Sequence, residues 1–457
     1  MVASSLKHLG ESFHRLRRRI GVDRAVFYSV LSRAFSTAGN LVTIPLILTR
    51  LTAVEQGFYY TFGSILAMQV FLELGFGQVA IQMVAHEAAH IRIDLNTGIS
   101  GENACLDHFS ATVGFIRRWY IVLAIIIGLL LFPAGVWFFS ASSVGFSVNW
   151  LGPWSIMAFS TAAGVVVRSL SAIVEGMGFV AESIRVNLWG GAVQVLLTIV
   201  GLLAGLKLYA VPIASLVALT VNFAFVWHLS KTVVRDASNH GKNIRIDWKE
   251  DVLPYQWRIA LSWMSGWFIF SAMLPVVFRQ LGPAEAGRFG LAVSISTFIS
   301  TFAINWSSTK AAIYGQMASR KDWKAMDALF WRVAPQAVGI AAVASIFALM
   351  LVPHLGDLIP RFAGRVPDSG VLFLLCSVTV MNQVISAEAF YLRAHKREPF
   401  LANSIFSGLA MGIGLFCFTH ASVLSIAVMY TALTVVGLIW ASVVFVYCRF
   451  HWHSITQ

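Results

Sequence analysis

The sequence predicts an all-α polytopic membrane protein: about twelve transmembrane helices arranged as two pseudo-symmetric six-helix lobes around a central cavity. Three observations predict it. The 457 residues are 58% hydrophobic and 12% charged, with a mean hydropathy of +0.74, whereas a soluble domain carries about 25% charged residues. Each apolar run is roughly 20 to 28 residues long, enough to cross a hydrocarbon core of ~30 Å as a helix. Laid on itself at an offset of 230, the chain repeats its punctuation.

The runs fall at 27–49, 57–84, 117–140, 151–174, 186–206 and 209–230, then at 255–279, 288–312, 331–353, 370–391, 400–419 and 421–447. No gap between them is long enough for a soluble domain, which excludes most extramembrane enzymes. Residues 1–24 place Leu6, Leu9, Phe13, Leu16 and Ile20 at helical spacing among Arg15 and Arg17 to Arg19, the pattern of a basic amphipathic helix on a membrane surface. The expected organisation is therefore this helix, a six-helix lobe over 25–230, a cytoplasmic linker over 231–253 and a second lobe over 254–457. With the N-terminus inside, the inner loops carry about 25 Lys and Arg and the outer loops about 6, so both termini are expected in the cytoplasm. The net charge of +12 is mostly this topology signal, and nucleic acid needs no place in the account. The first apolar run is too long for a cleaved signal peptide. Cys105, Cys376, Cys417 and Cys448 show no paired spacing, so neither a disulfide framework nor a metal cluster is indicated.

At the 230-residue offset, Leu31, Ser32, Pro45, Leu51, Glu55, Gly57, Ser64 and Ile65 meet Leu261, Ser262, Pro275, Leu281, Glu285, Gly287, Ser294 and Ile295. In both copies a proline is expected to kink the outer half of a span, and a turn with a glutamate and a glycine opens the next helix. Thr52 and Glu55 have the spacing of a capping box, and Pro283 suits a first helical turn. Thr52, Glu55, Gly57, Glu285 and Gly287 are accordingly read as structural. Six spans per half is an even number, so the pseudo-twofold axis should run along the membrane normal, an arrangement suited to two lobes rocking about a cavity.

The run Leu48-Thr-Arg-Leu-Thr-Ala-Val-Glu-Gln-Gly-Phe-Tyr-Tyr60, then Glu73-Leu-Gly-Phe-Gly77, resembles the opening of the polysaccharide transporters, the O-antigen flippase type of the multidrug/oligosaccharidyl-lipid/polysaccharide exporter superfamily. Tyr391-Leu-Arg-Ala-His-Lys-Arg-Glu-Pro399 is similar to that family's inner loop. Glu73 stands where Asp is also common. The resemblance implies translocation of an undecaprenyl-diphosphate-linked oligosaccharide between leaflets of the bacterial cytoplasmic (inner) membrane. It also implies a cationic central cavity, coupling to H⁺ or Na⁺ without another cofactor, and a polysaccharide polymerase and chain-length regulator as partners.

Independently of that resemblance, ionisable residues inside spans are functional candidates, because each costs about 2.5–3.5 kcal/mol to insert. Arg168 lies near the middle of the fourth span, either facing the cavity or paired with a buried carboxylate. Arg33 lies a third of the way into the first, where snorkelling to the inner interface competes. A guanidinium fork suits a diphosphate. Glu73, mid-span and followed by Gly75 and Gly77, is the candidate for coupling or gating, with a structural counter-ion role as the alternative. Glu388, nearer the inner end, is expected at a lip. Asn40, Gln69, Gln78 and Asn305 are candidates to bind sugar, against plain interhelical bonding. Arg33 meets Trp263 and Glu73 meets Ala303 at the repeat offset, which assigns the chemistry to the first lobe.

His86-Glu87-Ala88-Ala89-His90 matches the zincin pattern. No downstream segment reads as a third-ligand helix, so a metalloprotease is set aside. The nearer competitor is a multidrug or cation antiporter of the same superfamily, which would favour an acidic cavity with few arginines.

Overall fold

The structure, a computed structural model, describes residues 24–142, 148–240, 253–359, 362, 364–395, 397–417 and 422–454. The expected amphipathic helix over 1–24 lies almost wholly outside the described residues, as does most of the linker. The first lobe comprises α1 (Arg24–Arg50), α2 (Ala53–Leu66), α3 (Val70–Glu73), α4 (Phe76–Ala88), a hairpin of β1 (Arg92–Asp94) and β2 (Gly98–Ser100), α5 (Asn103–Ser142), α6 (Leu151–Gly176), α7 (Val180–Leu203) and α8 (Ala210–Ala237). The second comprises α9 (Leu253–Phe270), α10 (Met273–Leu281), α11 (Pro283–Ser308), α12 (Ala311–Ser319), α13 (Trp323–Leu351), α14 (Leu355–Leu358), α15 (Ser369–Arg393), α16 (Leu401–Cys417) and α17 (Val423–Ser454).

Among the described residues nine helices are long and apolar enough to cross a membrane, or ten when α2 to α4 count as one bent span. The chain is thus a multi-pass membrane protein. The count stands against the twelve expected because α16 has 17 residues, and because α1 carries polar residues along one side, Ser32, Ser36, Thr37, Asn40 and Thr43. That polar side faces a cleft, described below. Other departures are local. α5 begins at Asn103, well before the expected 117, because its first turns are polar and fall outside any apolar window. The loop before it holds an unexpected hairpin, its three-residue strands being too short for a visible alternation. α8 continues to Ala237, into the expected linker. Pro45 lies inside a continuous α1, whereas its counterpart Pro275 sits in the first turn of α10, after a break.

The packing repeats between lobes. α1 packs on α7 as α9 packs on α16; α6 on α8 as α15 on α17; α5 on α6 as α13 on α15; and α4 on α6 as α11 on α15. The α2–α11 contact has no second copy, because it lies where the lobes meet. Lipid removes most of the hydrophobic drive for helix association, so this meeting depends on close approach of backbones and dispersion contacts. Gly57 and Gly287 supply the approach. A Cβ on Gly57 would stand 1.9 Å from the Pro283 carbonyl oxygen, and one on Gly287 would stand 2.9 Å from the Ala53 oxygen. Both glycines therefore serve the crossing between lobes rather than a cap. Gln56 Nε2 donates to the Gly287 oxygen at 2.9 Å. Beside it Phe58, Phe139 and Trp154 of the first lobe are fully buried with Phe278 of the second, Phe58 and Phe278 meeting edge to face at 4.9 Å. The Arg365 guanidinium, from the loop after α14, donates to the Leu48 and Leu51 carbonyls at the end of α1. The bundle is thus sealed at the end opposite the Lys- and Arg-rich loops, hereafter the basic end.

Candidate functional site

The second span is broken where its acid sits. Glu73 ends α3; Leu74 (φ 50°) and Gly75 (φ 69°) are both left-handed, and the helix resumes at Phe76 with a bend of 45°. Glycine adopts this conformation freely, but a leucine there costs on the order of 1–2 kcal/mol. The break turns the Glu73 carboxylate inward, where the residue is 7% exposed. Arg168 of α6 reaches it, Nη2 to Oε2 3.6 Å, and donates from the same nitrogen to Gln69 Oε1 at 2.9 Å. Three of the residues singled out in the sequence, Gln69, Glu73 and Arg168, therefore meet. The Arg168 side chain keeps 44% of its surface exposed, so pairing and exposure coexist. Over Gly77, the Tyr120 hydroxyl of α5 converges with Glu73: a Cβ there would lie 3.4 Å from the Tyr120 oxygen and 3.7 Å from Glu73 Oε1. Tyr120 is fully buried, its hydroxyl turned toward the Glu73 carboxylate. Nothing but its place in an apolar span marks it in the sequence.

A second region lies between the lobes. A cavity of about 420 Å³ is lined by Ser32, Ser36, Thr37, Asn40 and Thr43 of α1, by Tyr59 and Tyr60 of α2, and by Ser294, Thr297 and Thr301 of α11. Toward the basic end a larger one, about 700 Å³, is lined by Ala34, Thr37, Phe302, Asn305, Trp306, Thr309, Lys310, Leu329, Arg332, Val333 and Gln336. Thr37 belongs to both. The polar positions of α11 recur at helical spacing from Ser294 to Thr309, so with α1 they form a hydroxyl- and amide-lined cleft along much of the span. Sequence reading had Asn40 and Asn305 but missed Lys310, Arg332, Trp306 and Gln336. The two cations had been absorbed into the loop-charge count. The available signal was the spacing Thr301, Asn305, Thr309 leading into Lys310.

The other candidates are dispersed. The backbone of Arg33 lies in α1, and its side chain is outside the described residues. Gln78 is exposed on α4. Glu388 is 5% exposed and accepts from Ser442 of α17 at 2.9 Å, so it is buried between α15 and α17 rather than standing at an open lip. Thr52 and Glu55 form a reciprocal capping box, Glu55 N to Thr52 Oγ1 3.1 Å and Thr52 N to Glu55 Oε2 2.8 Å, and Glu55 also lies 3.5 Å from Lys207 Nζ. Glu285 pairs with Arg288 at 3.1 Å. His86 and His90 have ring centroids 5.9 Å apart and Glu87 contacts His86 at 3.3 Å; among the described residues no three His, Cys, Asp or Glu are grouped to hold a metal.

No protein-family model matches the chain, and no curated protein matches its sequence. Solved structures do. An inward-facing structure of a multidrug resistance MATE family transporter of the MOP superfamily matches with a TM-score of 0.62 at 13% identity, over 92% of this chain and 98% of that one. An outward-facing structure of a multidrug resistance MATE family transporter matches with a TM-score of 0.57 at 14% identity, over 93% and 95%. A MOP superfamily transporter from Pyrococcus furiosus, whose binding pocket of reverse polarity suggests a different function, matches with a TM-score of 0.55 at 15% identity, over 95% and 96%. The chain therefore has the two-lobe fold of MATE transporters of the MOP superfamily.

Proposed function

We propose that the protein is an alternating-access flippase for an undecaprenyl-diphosphate-linked oligosaccharide, moving it from the inner to the outer leaflet of a bacterial cytoplasmic membrane for surface polysaccharide synthesis. The observation that carries this reading is the sign of the charge between and within the lobes. Arg168, Lys310 and Arg332 are exposed or line the cleft, whereas no carboxylate lines either cavity described above, and Glu73 is buried against Arg168. A charge exposed to lipid at this depth is strongly disfavoured, so the open side of Arg168 faces hydrated space. Such a surface attracts phosphate and repels the cationic drugs an antiporter would export. The hydroxyl and amide groups of α1 and α11 supply hydrogen bonds to sugar.

With the basic end read as cytoplasmic, the seal at Gly57 and Gly287 and the larger cavity at the basic end support an inward-facing arrangement. A diphosphate reaching Arg168 competes with Glu73 for the same guanidinium. Glu73, released from its arginine beside the Leu74–Gly75 break, is then free to bind the coupling ion, H⁺ or Na⁺. Binding at one place thereby changes charge at the bend of the second span, which is how cargo and ion are linked to rocking of the lobes.

The test is deletion of the gene followed by leaflet analysis. Lipid-linked repeat units should accumulate on the inner face and be cleared by the wild-type gene. Normal distribution across the leaflets would end the flippase reading. Export of cationic dyes with no lipid phenotype would favour the antiporter.

A further inference from the structure

The larger cavity holds a pair of cations without an evident structural duty. Lys310 follows α11, Arg332 lies in the third turn of α13, and both line the same 700 Å³ space. Neither makes an ion pair among the described residues. The carboxylates nearest them in sequence are engaged elsewhere. Asp322 caps α13 by accepting from Ala325 N at 3.1 Å, and Asp327 accepts both the Nε and Nη2 of Arg449, at 3.0 and 2.7 Å, together with the Tyr391 hydroxyl. Two like charges facing one cavity repel unless an anion joins them.

The rest of the lining narrows the ligand. The indole Nε1 of Trp306 donates to Gln336 Oε1 at 2.9 Å, which holds the ring at the cavity while leaving the residue 47% exposed. Asn305, Thr309 and Thr37 add neutral hydrogen-bonding groups. A planar guanidinium and a compact ammonium lining one cavity suit a phosphate or diphosphate, the fork taking two oxygens of one group and the ammonium serving as a point charge on the next. A flat, partly exposed indole offers a face for the polar group esterified to it.

We infer that Lys310 and Arg332 form a diphosphate-binding site in the second lobe, at the basic end of the cleft, which receives the phosphate group of an anionic ligand before Arg168 of the first lobe does. The order of events rests on the flippase reading; binding of phosphate does not. The ligand's diphosphate could be carried by a polyprenyl lipid or by a soluble compound, and the cleft alone does not separate these sources.

The experiment uses the full chain in lipid nanodiscs and two probes, inorganic pyrophosphate and undecaprenyl diphosphate. Affinities are measured at two salt concentrations for the wild type and for Lys310→Gln, Arg332→Gln, the double variant, Lys310→Arg and Arg320→Gln. Each neutralising change should weaken binding about 10- to 100-fold, the scale of one charge-assisted hydrogen bond. Lys310→Arg should retain it, which separates lost charge from misfolding, and Arg320→Gln, an exposed cation outside the cavity lining, should leave binding within about threefold of wild type. Weakening seen with the lipid probe alone or with both probes assigns the site to a lipid headgroup; weakening with pyrophosphate alone assigns it to a soluble ligand. A correctly folded double variant that binds both probes with wild-type affinity overturns the inference. That result leaves the flippase reading standing if leaflet analysis supports it, and a normal leaflet distribution with weakened probe binding removes the flippase reading while leaving this site in place.

Discussion

Replacing Gly57 by alanine should unseal the end of the bundle opposite the basic one. The added Cβ would stand 1.9 Å from the Pro283 carbonyl oxygen, where ordinary contact begins at 3.4 Å, so α2 and α11 must part by about 1.5 Å at their closest point. The obstacle is backbone and cannot rotate aside. A gap of 0.5–1 Å already forfeits roughly a quarter to a half of a contact's dispersion energy, and overpacking of this kind costs about 1–3 kcal/mol. Alanine also gains up to about 1 kcal/mol of helix propensity, but in sealed and open conformations alike, so it cancels from the equilibrium between them. The penalty falls on the sealed state alone and shifts that equilibrium about 5- to 150-fold toward opening. The assay replaces Cys105, Cys376, Cys417 and Cys448 with serine and places a reporter at Ser294→Cys, in the smaller cavity. A membrane-impermeant maleimide is then applied from the opposite side. Gly339→Ala is the control, since a Cβ there meets nothing within 4 Å. If Gly57→Ala labels at the rate of its parent and of the control, the glycine crossing is not the seal.

Three further outcomes follow from the same geometry. Arg365→Ala removes the donor to two carbonyls at the end of α1, at about 1–3 kcal/mol, and should raise labelling of the same reporter; unchanged labelling would make the Arg365 contact incidental to closure. Arg168→Ala leaves a buried Glu73 without its cation; fully buried pairs lose about 3–5 kcal/mol on such a change, and the exposure of Arg168 reduces the expectation to about 1–2 kcal/mol. Adding Glu73→Gln should recover most of that stability in a thermal melt while leaving transport insensitive to the ion gradient, so a double variant no more stable than Arg168→Ala, or still gradient-driven, would contradict the pairing. Burial holds the His395 imidazole, just beyond α15, below the ordinary histidine range. As pH falls through that ordinary range, near 6.5, the unfolded chain binds protons the folded one refuses; stability present above it is therefore lost as pH falls toward the depressed value. His395→Gln should flatten the melting temperature between about pH 7 and 5.5, and an unaltered slope would assign the effect to other histidines.

What could be read from sequence was what is local. The helical runs and the Thr52–Glu55 capping box depend on residues within a few positions of each other, and the bend after Glu73 is signalled by Gly75. The same locality explains the misses. Gly57 and Gly287 were read with their neighbouring turns, but the reason for a glycine at each lies on a helix some 230 positions away, visible only as the repeat offset itself. Arg168 could be placed mid-span, with Glu73 read as a counter-ion for it or for Arg33, yet nothing in the chain named Gln69 as the other group it touches. Lys310 follows the end of α11 and Arg332 lies within the first three turns of α13, where a topology count expects basic residues for a reason unrelated to ligands. Glu388 looked like a lip residue because depth was judged along the chain, whereas burial depends on which helix covers it, here α17 through Ser442.

The departures from symmetry are more informative about mechanism than the repeat. At the repeat offset the second span of the first lobe is broken at Glu73, while α11 runs unbroken from Pro283 to Ser308 with Ala303, fully buried, in the equivalent place. An acid and a left-handed break therefore occur together in one lobe, and neither occurs at the matching position of the other. The converse holds for Lys310 and Arg332, which line the cleft from the lobe whose second span is straight. A bend that responds to an ion needs a helix already interrupted there, because opening a continuous helix would expose backbone groups that lipid cannot satisfy. A docking surface for a multiply charged ligand gains from rigid supports, because preorganised cations lose less freedom on binding. Sequence reading assigned the chemistry to the first lobe alone; the cleft adds two cations from the second. On the proposed function, ion response falls to the lobe that can bend and reception of phosphate to the lobe that cannot, with Arg168 on the bending side as the group both compete for.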